Sequence, residues 1–264
     1  MDLGIRGKTA IVCASSKGLG KGCAQALAEA GVNLVLNARG AEALEATATE
    51  IRSAHQVQVA TVAGDITSDE GQAAVLAAAR EMGGGVVDIL VNNAGGPPPG
   101  MWSDWEKDDW LKALNSNMLT PIALIKAVLP GMIEKKWGRI VNITSQSVKS
   151  PIPVLGLSNA ARAGLTGYVA GTSRQVAQHG VVMNNLLPGA HDTDRIKSLN
   201  SAEVEKRGIT MDQAMAERAN AIPTKRIGTP AEFGATCAFM CSQHVGFMIG
   251  QNVLLDGGIG NTTM

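Results

Sequence analysis

At 264 residues and 45% hydrophobic, the chain is long enough to bury a sizeable core as one α/β domain. Its 23 Lys and Arg balance 23 Asp and Glu, which excludes the electrostatic footprint of a nucleic-acid or anionic-membrane binder. The four cysteines (Cys13, Cys23, Cys237, Cys241) have neither disulfide-framework nor zinc spacing, so no metal site is expected. Met1-Asp2-Leu3-Gly4 does not open a signal peptide, and no apolar run looks long enough to span a bilayer. A reduced, cytoplasmic protein is expected.

Strand candidates are 8–13, 33–38, 57–63, 87–92, 139–144, 181–187 and 251–255. Helical patterns fill 18–30, 41–54, 69–82, 106–135, 157–178, 196–220 and 230–242. Short apolar strands alternating with amphipathic helices predict a doubly wound, mainly parallel seven-stranded sheet covered on both faces. Cys237 and Cys241, i,i+4 in an apolar helix, read as small core fillers. Residues 190–228 interrupt the rhythm with a polar helical stretch of the kind that commonly orders over a bound ligand. Its Met211 and Met215 either touch an apolar substrate or anchor the lid.

In such a sheet the ligand lies at the carboxyl ends of the strands. The first of these carries Cys13-Ala14-Ser15-Ser16-Lys17-Gly18-Leu19-Gly20, a small-residue turn opening a helix whose free N–H groups suit a pyrophosphate. After the second strand stands Ala38-Arg39, with no acid to take a ribose 2′-OH. Arg39 and Lys17 together favour NADP(H) over NAD(H), although two solvated surface charges would read the same way. Asp65, followed by Ile66, suits either an adenine amino group or a helix N-cap. After the fourth strand, Asn92-Asn93-Ala94-Gly95 lets a flat group lie against backbone, and Pro97, Pro98 and Pro99 stiffen the rim. Trp110 reads as packing, and Trp102 as a lining of the substrate mouth.

These motifs, in order and end to end, resemble the short-chain dehydrogenase/reductase family, of the single-domain oxoacyl-carrier-protein-reductase-like kind. The family's Thr-Gly-x-x-x-Gly-x-Gly loop falls on Cys13 to Gly20, its Asn-Asn-Ala-Gly block on Asn92 to Gly95, and its closing Asp-Gly-Gly on Asp256-Gly257-Gly258. The resemblance implies catalytic roles for Ser145 and for Asn117, the family's structural and proton-relay Asn. It implies cofactor contacts from Ser15, Ser16, Lys17, Gly18, Leu19, Gly20, Arg39, Asp65, Ile66, Asn93, Ala94 and Gly95, and from Pro188, Gly189 and Thr193 of the Pro-Gly-x-x-x-Thr segment. It also implies a small-molecule carbonyl or alcohol substrate and a homo-oligomer, dimer or tetramer, built on the small-residue helix 157–178 and the sheet-edge segment 249–256.

The family's Tyr-x-x-x-Lys pair is absent. Thirteen positions after Ser145 stands Ser158, and four further on stands Arg162; the two take the pair's place as candidate catalytic residues, with Arg162 also a candidate cofactor contact. Tyr168, the only tyrosine, is ten residues beyond Ser158, roughly 80° round the helix and about 15 Å along it. A serine hydroxyl is a far weaker acid than a phenol, and Arg162 stays protonated and cannot relay protons, though it can hold ribose hydroxyls or a carboxylate. Ala14 also replaces the loop's first glycine. Three readings stay open. One is an NADP(H)-dependent reductase or dehydrogenase with an atypical proton donor, such as Ser145 through a water or His191. The second is a nucleotide-binding sensor or partner protein. The third is a non-redox bond-cleaving enzyme using Ser145, Ser158 and Arg162 as a polar pocket. The intact nicotinamide-side segments favour the first.

Overall fold

The computed structural model describes residues 1–261. Strands β1 (Thr9–Val12), β2 (Asn33–Ala38), β3 (Val59–Ala63), β4 (Ile89–Asn92), β5 (Gly138–Ile143), β6 (Val181–Pro188) and β7 (Asn252–Leu255) form one sheet in the order β3-β2-β1-β4-β5-β6-β7. Every pairing is parallel, so the expected doubly wound α/β fold is the one observed. Strands β1, β4 and β5 are buried along their whole length, which fits their apolar centres Ala10-Ile11-Val12, Ile89-Leu90-Val91 and Ile140-Val141.

Helices cover both faces. On one face α1 (Gly18–Glu29), α2 (Ala41–Ala54) and α9 (Pro230–Met240) contribute Leu27, Leu44, Ile51 and Phe233 to one half of the core. On the other, α3 (Asp69–Met82), α5 (Thr120–Glu134) and α6 (Gly156–Val176) contribute Val75, Leu124, Ile125 and Leu165. The four cysteines are buried and free, and Cys237 and Cys241 pack in the core as expected of small fillers. Burial raises the Cys13 thiol to about 12, so it is inert at neutral pH.

Two long helical patterns divide. The stretch expected as one helix over 106–135 is α4 (Lys107–Leu114), a π-turn at Asn115–Leu119 and then α5. The one expected over 196–220 is α7 (Asp194–Arg207) and α8 (Met211–Ala221). Gly208 ends α7 in a left-handed conformation (φ 64°), and the Thr210 hydroxyl accepts from the Gln213 N–H to start α8. The expectation of no bilayer-length apolar segment needs correcting. The continuous helix Lys107–Glu134, 28 residues at mean hydropathy 1.3, passes that test by length and composition. Isolated charges such as Lys126 broke up the apolar run in the sequence, but not the average over the helix. Its apolar character is used against the sheet, where Leu124, Ile125, Val128 and Met132 are buried.

The strand order reverses at β1, which pairs with β2 on one side and β4 on the other. Chains leaving β1 and β4 therefore turn in opposite directions and open a crevice above their carboxyl ends. Loops after β5 and β6 extend its walls.

Candidate active site

A cavity of about 510 Å³ occupies that crevice. Its floor is the turn between β1 and α1. Ala14 takes a left-handed backbone (φ 48°) although it is not glycine, and its carbonyl accepts from the Asn93 side chain at 3.4 Å. Gly20 is required behind it, since a Cβ there would lie 2.2 Å from the Ala14 carbonyl oxygen. Lys17 stands at the N-cap of α1 and makes no capping hydrogen bond with its side chain, and no acid occupies the first turn. The first N–H groups of α1 are thus left for an anion.

Of the residues singled out in the sequence, Lys17, Gly18, Leu19, Asn93, Ala94, Gly95, Ser145, Ser158, Arg162, Pro188, Gly189 and Thr193 all reach this cavity. Ala14 and His191 line it as well, and the remaining cofactor and catalytic candidates do not. Ser15 is fully buried and its hydroxyl is taken up with the Asn37 backbone, at 3.2 and 3.3 Å. Ser16 offers its carbonyl to Thr47 at 2.9 Å. Gly20 serves the packing described above. Arg39 is exposed at the end of β2, and Ile66 is buried in the core. Asp65 does not cap a helix: Oδ1 accepts from the Thr67 N–H and hydroxyl, which holds its carboxyl below the usual range, while Ser68 caps α3. Asn117 lies inside the π-turn, 3% exposed. Its Nδ2 donates to the Ser116 hydroxyl at 2.7 Å, and its Oδ1 is buried without a partner.

Ser145 follows β5, and Ser158 and Arg162 share one face of α6, so two elements converge on the inner wall. The Ser145 hydroxyl accepts from the Ser147 N–H at 3.1 Å. The Ser158 hydroxyl accepts from Arg162 Nε at 3.2 Å, while Nη1 of the same guanidinium donates to the Ile143 carbonyl at 2.8 Å. Each serine therefore has an acceptor site filled by an N–H group and its own O–H free to donate. Burial, with Arg195 as a second cation, pulls the Arg162 guanidinium down to about 10, which leaves it charged at neutral pH.

The segment after β6 closes the other side. Gly189 passes so close to Asp256 that a Cβ would sit 2.6 Å from its Cα, and Asp256 in turn accepts from the Gly258 and Gly260 N–H groups. His191 borders the cavity, but its ring packs edge-on against Phe233 at 5.2 Å and its Nδ1 lies 3.3 Å from the Gly189 carbonyl. Burial lowers its pKa from 6.5, so the imidazole is neutral at pH 7 and a poor acid.

Three further expectations meet the geometry. Trp102, read as a mouth lining, is 85% exposed and outside the cavity wall. Trp110 makes an edge contact with Trp105 at 6.0 Å, which is packing. Met215 accepts from the Asn200 side chain at 3.4 Å, tying α8 to α7, and neither it nor Met211 lines the cavity. From α7 and α8 the cavity takes Asp194, Arg195, Ile196, Lys197, Leu199 and Arg218; Ile196 and Leu199 stand out in the sequence as apolar residues of this polar stretch, whereas no local pattern marks the charged ones.

Comparison with known proteins follows the geometry. A family model described as enoyl-(acyl carrier protein) reductase matches residues 13–260. The 3-oxoacyl-(acyl-carrier-protein) reductase FabG of Vibrio cholerae is 33% identical over 259 residues, covering 97% of this chain and 99% of that protein. The NADPH-dependent reductase BacG of Bacillus subtilis is 30% identical over 252 residues, 95% and 97% of the two chains. The crystal structure of L-sorbose reductase from Gluconobacter frateurii, complexed with NADPH and L-sorbose, superposes with a TM-score of 0.94 at 27% identity over 99% of this chain and 100% of that one.

Proposed function

This chain belongs to the short-chain dehydrogenase/reductase family, and we propose that it is an NADP(H)-dependent oxidoreductase interconverting a carbonyl and an alcohol on a small substrate, with a proton donor other than the family's tyrosine. The observation that carries this reading is the convergence of the α1 N-terminus, Asn93 to Gly95, Ser145 and the Pro188 to Thr193 segment on one cavity. A dinucleotide fits these groups: uncapped helix N–H groups suit its pyrophosphate, and the Ala94-Gly95 backbone admits a flat ring. The NADPH dependence of similar reductases supports the phosphorylated form. So do the exposed Arg39, at a strand end that lacks an acid, and Lys17, in the turn that opens α1.

When bound, the reduced nicotinamide supplies a hydride to the carbonyl carbon. The chain's own part is to polarise the carbonyl oxygen. Ser145, its acceptor side filled by the Ser147 N–H, directs its O–H into the cavity as the principal donor to that oxygen. Ser158 and Arg162 hold a second hydroxyl and a fixed positive charge beside it. The proton then reaches the alkoxide through a water on Ser145, since neither Ser158 nor the neutral, packed His191 is a competent acid. Ile152, Leu155, Ile196 and Leu199 give the substrate an apolar seat under the 190–228 lid.

Single-turnover oxidation of bound NADPH against a panel of ketones, aldehydes and imines tests the reading. Turnover is expected, falling roughly a hundredfold in Ser145→Ala and less than tenfold in Ser158→Ala. A tenfold or greater loss in Ser158→Ala with unchanged NADPH affinity would make Ser158 the acid. NADPH binding with no turnover on any substrate would transfer the case to the sensor or non-redox reading.

A further inference from the structure

Five cationic and two acidic side chains line the cavity. At the rim the charges cancel. Lys17 pairs with Asp194 at 2.6 Å and Lys197 with Asp192 at 3.7 Å, all four more than half exposed. That leaves Arg162, Arg195 and Arg218, for none of which a carboxylate stands within ion-pair distance among the described residues.

Their hydrogen bonds go to neutral atoms only. Arg162, 7% exposed, donates to the Ser158 hydroxyl and the Ile143 carbonyl. Arg195 reaches across from α7 to donate to the Pro97 carbonyl at 2.7 Å, and Arg218 donates to Asn200 Oδ1 at 3.0 Å through Nε. Burial and mutual repulsion both act against the charged form of Arg162. A buried cation facing a second cation, with no anion supplied by the fold, is unstable unless the ligand brings one.

We propose that Arg162 and Arg195 bind the carboxylate of the substrate, so that this reductase acts on oxo acids with an apolar carbon chain and not on neutral ketones or thioesters. The inference rests on the reductase reading above. It takes its direction from position: Arg162 is anchored to Ser158 and to the end of β5, beside Ser145, where the carbonyl would lie. Lys17 and the uncapped N-terminus of α1 already stand at the phosphate end. A planar guanidinium matches a carboxylate in two parallel hydrogen bonds, and Arg195, carried on α7, would bring the lid down onto the bound acid. The chain of the acid would lie along Ile152, Leu155, Ile196 and Leu199.

The test uses the full chain loaded with NADP+, titrated calorimetrically with acetoacetate and 4-methyl-2-oxopentanoate and with their methyl esters. Single-turnover NADPH oxidation runs on the same pairs. At least one acid is expected to bind roughly a hundredfold more tightly than its ester. Arg195→Gln should remove most of that difference while NADPH affinity stays within about threefold, and Arg162→Lys, which keeps the charge, should retain more of it than Arg162→Gln. Acids and esters bound equally, or no acid bound, would overturn the inference. So would a loss of NADPH affinity in Arg195→Gln as large as the loss for the acid, because the arginine would then serve the cofactor. Acids bound tightly but never reduced would uphold the carboxylate site and overturn the reductase reading.

Discussion

At Arg39 a single exposed guanidinium stands at the carboxyl end of β2, where the sheet delivers it to the rim beside Asp65, whose carboxyl it helps to hold ionised. A charge-assisted contact of this kind to a 2′-phosphate is worth about 1.5–3 kcal/mol, or roughly ten- to a hundredfold in affinity. Arg39→Ala should weaken NADPH binding by that factor and leave NADH unchanged, as followed by fluorescence titration; equal effects on both would remove Arg39 from cofactor selection. His191 makes a prediction about pH. In the unfolded chain it titrates near 6.5, and in the folded protein burial holds it lower, so between those two values the unfolded state binds more protons. Stability should therefore decline as pH falls below about 6.5 and level off below the folded value. Urea midpoints measured between pH 5 and 7.5, above the carboxylate range, should show this slope in the parent and lose it in His191→Gln. An unchanged slope in the variant would assign the effect elsewhere.

Among the elements, the closest approach is between α1 and α9. A Cβ on Gly22 would come 2.2 Å from the Pro230 carbonyl oxygen, and one on Gly234 would come 2.1 Å from the Gly22 carbonyl oxygen. The two helices cross backbone to backbone at these glycines, and this contact seats α1 and hence the N–H groups that face the cavity. Gly22→Ala should destabilise the protein by about 1–3 kcal/mol through overpacking, despite alanine's higher helix propensity. An exposed control away from any proposed interface, Gly40→Ala, where a Cβ meets nothing within 4 Å, should cost well under about 1 kcal/mol. Equal midpoints for the two variants would mean that α1 and α9 adjust freely. The division of the 106–135 and 196–220 patterns belongs to this scale too. Gly208 and the Thr210 cap were readable as a stop and a start, whereas nothing in Asn115-Ser116-Asn117 distinguishes a π-turn from an ordinary helix turn.

For the molecule as a whole, parallel strands and right-handed crossovers put all the loops of interest on one edge of the sheet, and the cavity follows from that placement. A homo-oligomer is the proposal that belongs at this scale. The face of α6 carrying Gly167 and Gly171 meets only open space, and Phe247, just before the edge strand β7, is fully exposed. Covering both surfaces in a homo-oligomer accounts for small residues on one and a large apolar residue on the other. Light scattering at micromolar concentration is expected to give the mass of two or four chains, and Phe247→Glu a smaller species. A monomeric parent would return these surfaces to the solvent.

The sequence by itself determined the layered α/β architecture and the order of the motifs along it, because both depend on local periodicity and on turn chemistry within a few residues. It also gave up the Ser158 and Arg162 positions, since counting along one helix fixes which side chains share a face. Only the tertiary structure decided which of the marked residues meet in one cavity. Ser15 turns away to Asn37, Trp102 stays in solvent and Asn117 is enclosed in its own turn. Only packing, likewise, paired Lys17 with Asp194 across 177 positions of sequence and left Arg162 and Arg195 without an acid among the described residues. Charge balance in a cavity is summed over strands and helices brought together from the whole chain, and no local pattern contains that sum.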